Sequence, residues 1–268
     1  MRWQAVWGIV QRQYDLMRGS PTRVIPLFAW VAVDILLWGF ITRYLDQLDR
    51  GGTMKFVPSF LGAVLLWDFF SRVMQGVTTT FFEDLWSRNF LNLFATPLRI
   101  SEYVAGLVLT SILTSLIGLL VMLVLAIGFF GLNYLSLGVL LVPFVLILFL
   151  FGIALGVFAS GMVLRLGPAS EWLVWPIPAV LAPFAGVFYP LSVLPEWMRF
   201  IGYCLPPSYV FEGLRAVLAG QGVSSGLLAG SLLLAVAEIA LAGWFFRHVY
   251  RYAVSSGLLA RYSAESVA

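Results

Sequence analysis

The stretch EDLWSRNFLNLFATPLRISEY, residues 83–103, lies between two apolar runs that are each long enough to span a bilayer. Apolar side chains recur here at steps of three and four residues, at Phe82, Leu85, Trp86, Phe90 and Leu93. Polar side chains fill the other side, at Glu83, Asp84, Ser87, Arg88, Asn89 and Asn92. Thr96-Pro97 ends the pattern, and we expect Thr96 to cap the next helix with Pro97 in its first turn. The pattern predicts a short amphipathic helix on the membrane surface, available to a cytoplasmic partner.

The composition is that of an integral membrane protein. Of 268 residues, 61% are hydrophobic and 11% charged, with a mean hydropathy of +0.95, whereas soluble domains carry about 25% charged residues. The apolar runs are continuous, which predicts an all-α protein rather than alternating strands. The formal charge of +3 comes with no long basic run, so we expect no nucleic-acid partner.

Six transmembrane spans are predicted, preceded by an interfacial segment over residues 1–22. The spans cover about 24–45, 58–82, 104–130, 137–164, 170–189 and 226–246. The fourth run is long enough to tilt, protrude or kink, and Pro143 offers the kink. No repeat or linker divides the chain, so residues 1–268 are predicted to form a single transmembrane domain.

Residues 2–18 have the pattern of an amphipathic helix. Arginines, glutamines and Asp15 lie opposite an apolar, aromatic face made of Trp3, Val6, Trp7, Val10, Tyr14 and Met17. Such a face favours the headgroup layer of a membrane. The alternative is a soluble helix packed on another subunit.

Basic residues are distributed unequally between the two sides of the predicted spans. Ten stand on the side of the termini, namely Arg2, Arg12, Arg18, Arg23, Arg88, Arg99, Arg165, Arg247, Arg251 and Arg261. Five stand on the other side, namely Arg43, Arg50, Lys55, Arg199 and Arg215, and Arg72 lies within a span. Because basic loops stay in the cytoplasm, both termini and residues 83–103 are predicted to be cytoplasmic.

Prolines concentrate before the last span. Seven of the thirteen fall within residues 176–207, in a stretch too apolar for an exposed loop and too broken for a straight span. Irregular backbone at membrane depth must be covered by protein or line a cavity. We predict two short helices, opened at Pro195 and at Pro206-Pro207, that dip back from the outer face as a lid over residues 190–215.

Charged side chains interrupt the apolar runs at Asp34, Asp68, Arg72 and Glu238. A lone charge at the bilayer centre costs about 2.5–3.5 kcal/mol, so such groups face a partner or a polar cavity. Asp68 and Arg72 are four residues apart and can neutralise each other, as can Glu212 and Arg215 at three. These pairs are equally consistent with structural salt bridges and with a translocation pathway. Asp34 is the better pathway candidate, although a bond to Arg72 would explain it too.

Small residues recur every four positions in the third and fourth spans, at Gly106, Thr110, Thr114 and Gly118 and at Gly152, Gly156 and Ser160. Such stripes allow close helix packing, which is the role we expect.

Motifs for catalysis or nucleotide binding are missing. The sequence contains no GxxxxGK[ST], HExxH or GxSxG, and it has one lysine, Lys55, and one cysteine, Cys204. We therefore predict that the chain is not an enzyme and holds no cofactor or metal of its own.

Two motifs together resemble those of permease subunits of type-2 ABC exporters. The first runs from Leu93-Phe94-Ala95-Thr96-Pro97-Leu98-Arg99 to Glu102-Tyr103. The second comprises Phe188-Tyr189-Pro190-Leu191, Leu194-Pro195-Glu196-Trp197, Leu205-Pro206-Pro207-Ser208-Tyr209 and Glu212-Gly213-Leu214-Arg215. With the amphipathic first helix and six spans, the resemblance covers nearly the whole chain.

The resemblance implies two paired permease chains, a homodimer, above two copies of an ATP-binding subunit that holds ATP and Mg²⁺. Residues 83–103 become the coupling segment, in which a helix over about 83–94 contacts the ATPase through Glu83, Asp84, Trp86, Arg88, Phe90 and Asn92. The pathway would be lined mainly by the first, second and fifth spans, at Asp34, Trp38, Asp68 and Arg72. The outer gate would comprise Phe188, Tyr189, Pro190, Trp197, Glu212 and Arg215.

The substrate predicted for such an exporter is an amphipathic, lipid-linked or hydrophobic compound leaving the cytoplasm or inner leaflet. Aromatic residues in the first two spans suit sugars or hydrophobic compounds, but membrane packing explains them equally. A secondary transporter driven by an ion gradient is the main alternative, because broken helices and intramembrane carboxylates mark that class too. A membrane scaffold is the other, although it would not need Asp34 or the broken outer segment.

Overall fold

The computed structural model describes residues 2–48, 60–87, 89–131 and 140–258, and all regular structure within them is helical, as the sequence predicts. Ten α-helices follow one another: α1 (Trp3–Arg18), α2 (Pro21–Leu48), α3 (Gly62–Trp86), α4 (Phe90–Ala95), α5 (Ile100–Phe130), α6 (Leu141–Leu166), α7 (Ile177–Ala185), α8 (Glu196–Tyr203), α9 (Pro206–Leu218) and α10 (Ser225–Ser255). Two short 3₁₀ helices, Pro168–Leu173 and Leu191–Val193, flank α7.

Helix α6 lies at the centre of the bundle. It packs against α3 and against α10, while α5 packs on α3, and α1 and α2 both pack on α5. Half of the most apolar stretch of α6 is buried inside the chain, compared with 22% for α5 and 17% for α10. The outer helices therefore turn apolar side chains such as Val124 and Trp244 away from the protein, as lipid-facing helices do.

Glycines set the distance between α3 and α6. A Cβ atom on Gly152 would stand 2.8 Å from Cβ of Val73, and one on Gly156 would stand 2.7 Å from Cβ of Val77. Both distances are too short for real side-chain contacts, so the two backbones approach closely only because glycine is present. The predicted packing role of these two small residues is confirmed.

Three helices in the described ranges are long and apolar enough to cross a membrane: Ile100–Phe130, Leu141–Leu166 and Ser225–Ser255. They coincide with the third, fourth and sixth predicted spans. Helices α2 and α3 occupy the positions of the first and second. Residues 58–59 and 137–139 of the predicted spans lie outside the described part of the chain.

The fifth predicted span, 170–189, is not one continuous helix. A 3₁₀ helix ends at Leu173, a turn follows, and α7 begins at Ile177 and ends after nine residues at Ala185. Gly186 then adopts φ 61°, which ends α7 in a left-handed turn. Pro176 and Pro178 account for the break before α7, because a proline lacks a backbone N–H and clashes with the preceding turn, whereas Pro183 is accommodated inside α7.

Several prolines elsewhere stand at helix starts. Pro143 lies in the first turn of α6, where its missing N–H costs no hydrogen bond, so the predicted kink is absent. Helix α8 begins directly after Pro195, and α9 begins at Pro206. The two short helices expected at these prolines are therefore present.

Candidate functional site

The coupling segment is built from the end of α3, a turn, the short helix α4 and the start of α5. Helix α3 continues through Trp86, whereas a separate helix over 83–94 was predicted. The backbone N–H of Ser87 donates to the carbonyl of Glu83, and that of Asn89 donates to the carbonyl of Asp84, each at 3.0 Å. These bonds end α3 before α4 begins. The single helix predicted over 83–94 is therefore divided between the end of α3 and the separate helix α4.

Thr96 ends α4 instead of capping the next helix. Its backbone is extended, with φ −81° and ψ 161°, and its N–H donates to the carbonyl of Leu93. Helix α5 begins three residues after Pro97, at Ile100, and Arg99 occupies its N-cap position. The prediction that Pro97 starts the next helix is wrong, because the chain first runs through this extended link.

The Asp84 side chain lies inside the protein, although the sequence pattern predicts it on an exposed polar face. Its side chain is fully buried and forms an ion pair with the Arg12 guanidinium of α1. The Tyr103 hydroxyl, at the start of α5, donates to the other carboxylate oxygen at 2.8 Å. Asp84 therefore joins three helices and is not available for direct contact with a partner.

Glu102 makes a second link between α1 and the coupling segment. Its carboxylate accepts hydrogen bonds from the backbone N–H of Arg2 at 2.7 Å, from Nη2 of Arg2 at 3.0 Å and from the backbone N–H of Arg99 at 3.1 Å. The Arg2 guanidinium also donates to the carbonyl of Pro97. Hydrogen bonds from the Arg2 side chain, followed by those from the two backbone N–H groups, lower the pKa of Glu102 to about 2. Glu102 stands before the apolar run of α5, so it is a charged anchor at the end of that helix.

Helix α1 is held against α5 by a narrow apolar face. The buried residues on this face are Val6, Ile9, Val10 and Gln13. Ile9 lies so close to Gly106 that a Cβ atom there would approach it to 2.6 Å. Trp3 and Trp7, predicted to belong to the same face as Val6 and Val10, are 64% and 55% exposed. The helix therefore has two apolar sides, one packed on α5 and one open.

The other predicted coupling residues divide between the interior and the surface. Phe90 is buried, with its ring centroid 5.2 Å from that of Phe81. The Trp86 side chain is half-exposed, and its indole N–H donates to the Glu171 carboxylate at 2.7 Å. Glu83 is half-buried and Asn92 is exposed, whereas Arg88 lies outside the described residues. Asn92 is thus the predicted residue most open to a partner.

The structure brings together three of the predicted pathway residues. Arg72 of α3 interacts electrostatically with Asp68, one turn away, and with Asp34 of α2. Arg72 therefore has an electrostatic partner in its own helix and another across the interface with α2. Oδ2 of Asp68 is buried and has no hydrogen-bond partner in the described ranges.

Trp38, the fourth predicted pathway residue, touches the predicted outer gate. Its ring stacks on that of Phe188 at a centroid distance of 5.5 Å, with the planes 17° apart. Phe60 lies on the same ring of Phe188 at 6.3 Å. The segment after α7 is thus fixed to α2 and to the start of α3 by stacked aromatic rings.

Glu212 and Arg215 of α9 hold the turn that follows α7, and we call this pair the outer clamp. Glu212 accepts the backbone N–H of Leu191 at 2.7 Å and pairs with Arg215 at 3.1 Å. Arg215 donates to the carbonyl of Gly186 at 2.8 Å. The predicted ion pair therefore exists, and it also satisfies the irregular backbone between α7 and α8.

The remaining gate residues lie around the outer clamp. The Tyr189 hydroxyl donates to the carbonyl of Pro183 at 2.9 Å. Pro190 is exposed and precedes the short 3₁₀ helix at Leu191–Val193. Trp197 of α8 is 63% exposed and lies edge-on to Phe184 at 6.2 Å.

Sequence reasoning missed the residues that connect α1 to the coupling segment: Arg2, Arg12, Glu102 and Tyr103. The available signal was charge, because α1 carries arginines and the segment carries acids at both ends. The partners are 72 and 100 residues apart in sequence, so periodicity carries no information about their pairing.

Comparison with known families matches the chain to the ABC-2 type transporter family over residues 4–219, from the first turn of α1 to the end of α9. The chain therefore belongs to the ABC-2 type transporter family. It is a multi-pass membrane permease of that family, which lacks ATPase activity and works with ATP-binding subunits. A comparison with curated proteins found no relative that matches the chain.

Proposed function

We propose that this chain is the membrane subunit of an ATP-driven exporter and that the coupling segment receives the movement of its ATP-binding partner. The observation that carries the proposal is the double ionic link, in which Arg12 binds Asp84 and Arg2 binds Glu102. These acids stand at the end of α3 and the start of α5, on either side of α4.

A push on α4 acts on both transmembrane helices at once. Only residues 87–89 separate it from α3, and only the link at 96–99 separates it from α5. Because α1 is bonded to both helix ends, it moves with them rather than sliding over them. The carboxylates of both pairs are buried, so separating either pair leaves an uncompensated charge inside the protein.

The surface around α4 offers places for a partner to dock. A cavity of about 250 Å³ lies between Arg12 of α1 and the residues Glu83, Ser87 and Asn89. Another of about 400 Å³ lies between the start of α1 and the stretch from Leu93 to Leu98. We propose that side chains of the ATP-binding subunit enter these cavities and contact Asn92 between them.

In the membrane we propose six crossings within a single domain, residues 1–268, with the broken segment around α7 as the fifth. The arginine distribution supports an orientation with both termini in the cytoplasm, in the cell inner membrane. Helices α8 and α9 form a re-entrant outer lid over about 190–215. The stack of Phe188 on Trp38 and the outer clamp support this arrangement by covering irregular backbone.

We further propose that two copies pair and that each binds one ATP-binding subunit, which holds ATP and Mg²⁺. The substrate is an amphipathic, lipid-linked or hydrophobic compound, and it passes by Asp34, Trp38, Asp68 and Arg72. The electrostatic contact among the three charged residues supports this location. Family membership favours the ATP-driven mechanism over the ion-gradient alternative, because ABC-2 permeases work with ATP-binding subunits.

Purification of the chain from native membranes in a mild detergent tests this function. The expected result is recovery of an ATP-binding subunit in equal amounts, together with ATPase activity. Recovery of the chain alone from membranes that contain both proteins, with intact helicity, would overturn the proposal.

A further inference from the structure

A cavity of about 420 Å³, lined by apolar surface with a group of polar side chains, opens between the end of α1 and the middle of α3 and α5. Its described lining contains two arginines, Arg18 and Arg72, together with Gln75 and Ser115, and includes no carboxylate. We infer that this cavity binds a phosphate group. The phosphate belongs to the headgroup of an anionic amphiphile, because the cavity lies between helices of the membrane domain. This inference rests on the proposed exporter function and assigns it a substrate or regulator class.

The Ser115 hydroxyl is a buried group in the lining of this cavity that provides hydrogen-bonding capacity for a ligand. Ser115 is 2% exposed, and its Oγ has no hydrogen-bond partner within the described ranges. Buried polar atoms are almost always hydrogen-bonded, and leaving one unsatisfied is unfavourable. The neighbouring Thr114 hydroxyl differs, because it donates to the helix carbonyl of Thr110 at 3.0 Å. Ser115 therefore retains a donor that a ligand oxygen can accept.

Arg18 supplies positive charge to the cavity, and Arg72, whose charge also interacts with Asp34 and Asp68, supplies guanidinium N–H donors. Arg72 enters from α3 with its stem beside Gly118 of α5, where a Cβ atom would stand 3.5 Å from its Cδ. Arg18 enters from the last turn of α1 and is exposed. The carboxylates that interact with Arg72, Asp34 and Asp68, do not line the cavity. Guanidinium groups bind phosphate through paired N–H donors, and hydroxyl and amide groups can complete the set.

The position of the cavity favours an amphiphile. Its walls are formed by α3 and by α5, a helix long and apolar enough to cross a membrane. Apolar residues, Met17 and Ile117, line it beside the polar groups. A headgroup can meet Arg18 and Arg72 while its acyl chains remain in the bilayer. Free phosphate shares the same chemistry and would need to enter from the cytoplasm.

The test uses the purified complex in nanodiscs of phosphatidylcholine, with bound lipid measured by native mass spectrometry. The probes are dioleoyl phosphatidic acid, dioleoylglycerol, which has the same chains without phosphate, and inorganic phosphate as competitor. The variants are Ser115→Ala and Arg18→Gln, which leave the contacts of Arg72 intact. The matched controls are Ser160→Ala, whose hydroxyl already donates to the carbonyl of Gly156, and Arg247→Gln on the exposed side of α10.

The expected result is preferential binding of phosphatidic acid that each cavity variant weakens about tenfold, the size of a hydrogen bond to a charged group, while both controls bind as wild type. Weak competition by inorganic phosphate assigns the site to a lipid, and displacement at matched concentration assigns it to the free anion. Equal binding of the two dioleoyl lipids, or full binding by both cavity variants, would overturn the inference. Co-purification of the ATP-binding subunit is measured in the same samples, so a failure of the exporter function can be distinguished from a failure of lipid binding.

Discussion

The Arg12 guanidinium and the Asp84 carboxylate form an ion pair that ties the N-terminal helix to the end of α3. Asp84 is fully buried and the Arg12 side chain is 28% exposed, so the pair is largely shielded from water. The Tyr103 hydroxyl completes the environment of Asp84 from α5. Three segments that are distant in sequence thus meet at one carboxylate.

Substitution of Arg12 by Gln should destabilise the folded protein by about 3 kcal/mol, the lower end of the cost of removing one partner from a buried ion pair, because Arg12 is 28% exposed while the Asp84 charge would remain buried. The measurement is the thermal unfolding midpoint of the detergent-purified protein. Asp15→Asn, on the exposed side of the same helix, is the control and should change little. Equal unfolding temperatures for R12Q and D15N would show that the ion pair does not hold α1 in place.

Substitution of Asn92 by Trp should reduce recovery of the ATP-binding subunit about tenfold, because a bulky ring would occupy the proposed docking surface. Asn92 is exposed, so the change leaves packing intact and the permease should express normally. Gln221→Trp, in the exposed connection between α9 and α10, provides the control. Full recovery of the partner with N92W would place the docking surface elsewhere.

Replacement of Glu212 by Ala should make the backbone amide of Leu191 exchange with solvent about tenfold faster. That amide donates to Glu212, and Arg215 would lose its ion-pair partner at the same time. Hydrogen–deuterium exchange of the peptide that contains the turn after α7 measures the effect. Glu196→Ala, at the exposed start of α8, should leave that exchange rate unchanged, and equal rates in both variants would argue against the outer clamp.

Substitution of Gly152 by Ala should destabilise the bundle by about 1–3 kcal/mol through overpacking. The added methyl group would meet Val73 at 2.8 Å and the carbonyl of Phe70 at 3.1 Å. Gly230→Ala in α10 is the matched control, because no atom lies within 4 Å of the added group, and alanine favours a helix over glycine by up to about 1 kcal/mol. The unfolding midpoint is expected to fall in G152A and to rise in G230A. A rise in G152A as well would mean that α3 and α6 are loosely packed.

Acid should weaken the link between Arg2 and Glu102. The pKa of Glu102 is about 2 in the folded protein and 4.5 for a free glutamate. Because the folded value is the lower one, the link contributes its full stability above the unfolded pKa and loses it as the pH falls from about 4.5 towards 2. Glu102→Gln should lower the unfolding midpoint at neutral pH and flatten its fall between about pH 5 and pH 3. An identical fall in wild type and variant would mean that other carboxylates control acid unfolding.

The sequence predicted those features of the fold that depend on local composition. Continuous apolar runs gave the helical class and the positions of the long helices, and prolines gave the starts of α8 and α9. The same local rules were less reliable where helices meet. The apolar residues Leu85, Phe90 and Leu93 keep a helical spacing across the turn at 87–89, so the periodicity concealed the end of α3.

The buried position of Asp84 could not be predicted because it depends on tertiary contacts. An aspartate next to Glu83 at the edge of an apolar run has the sequence context of a solvated group. Only the packing of α1 on α5 brings Arg12 over it and excludes water. The Trp38–Phe188 stack is similar, since it joins residues 150 positions apart that belonged to two separately predicted sites.

Gly39 of α2 lies against the ring of Phe130 at the end of α5, where a Cβ atom would come within 2.2 Å of the ring. Along the rest of the bundle, α3 is locked to α5 by the bond from Ser111 to the carbonyl of Val73, and to α6 through Gly152 and Gly156. Helix α2 packs chiefly on α5 and has few contacts with α3. Gly39 therefore sets how closely α2 approaches the end of α5, and a larger side chain at this position would push the two helices apart.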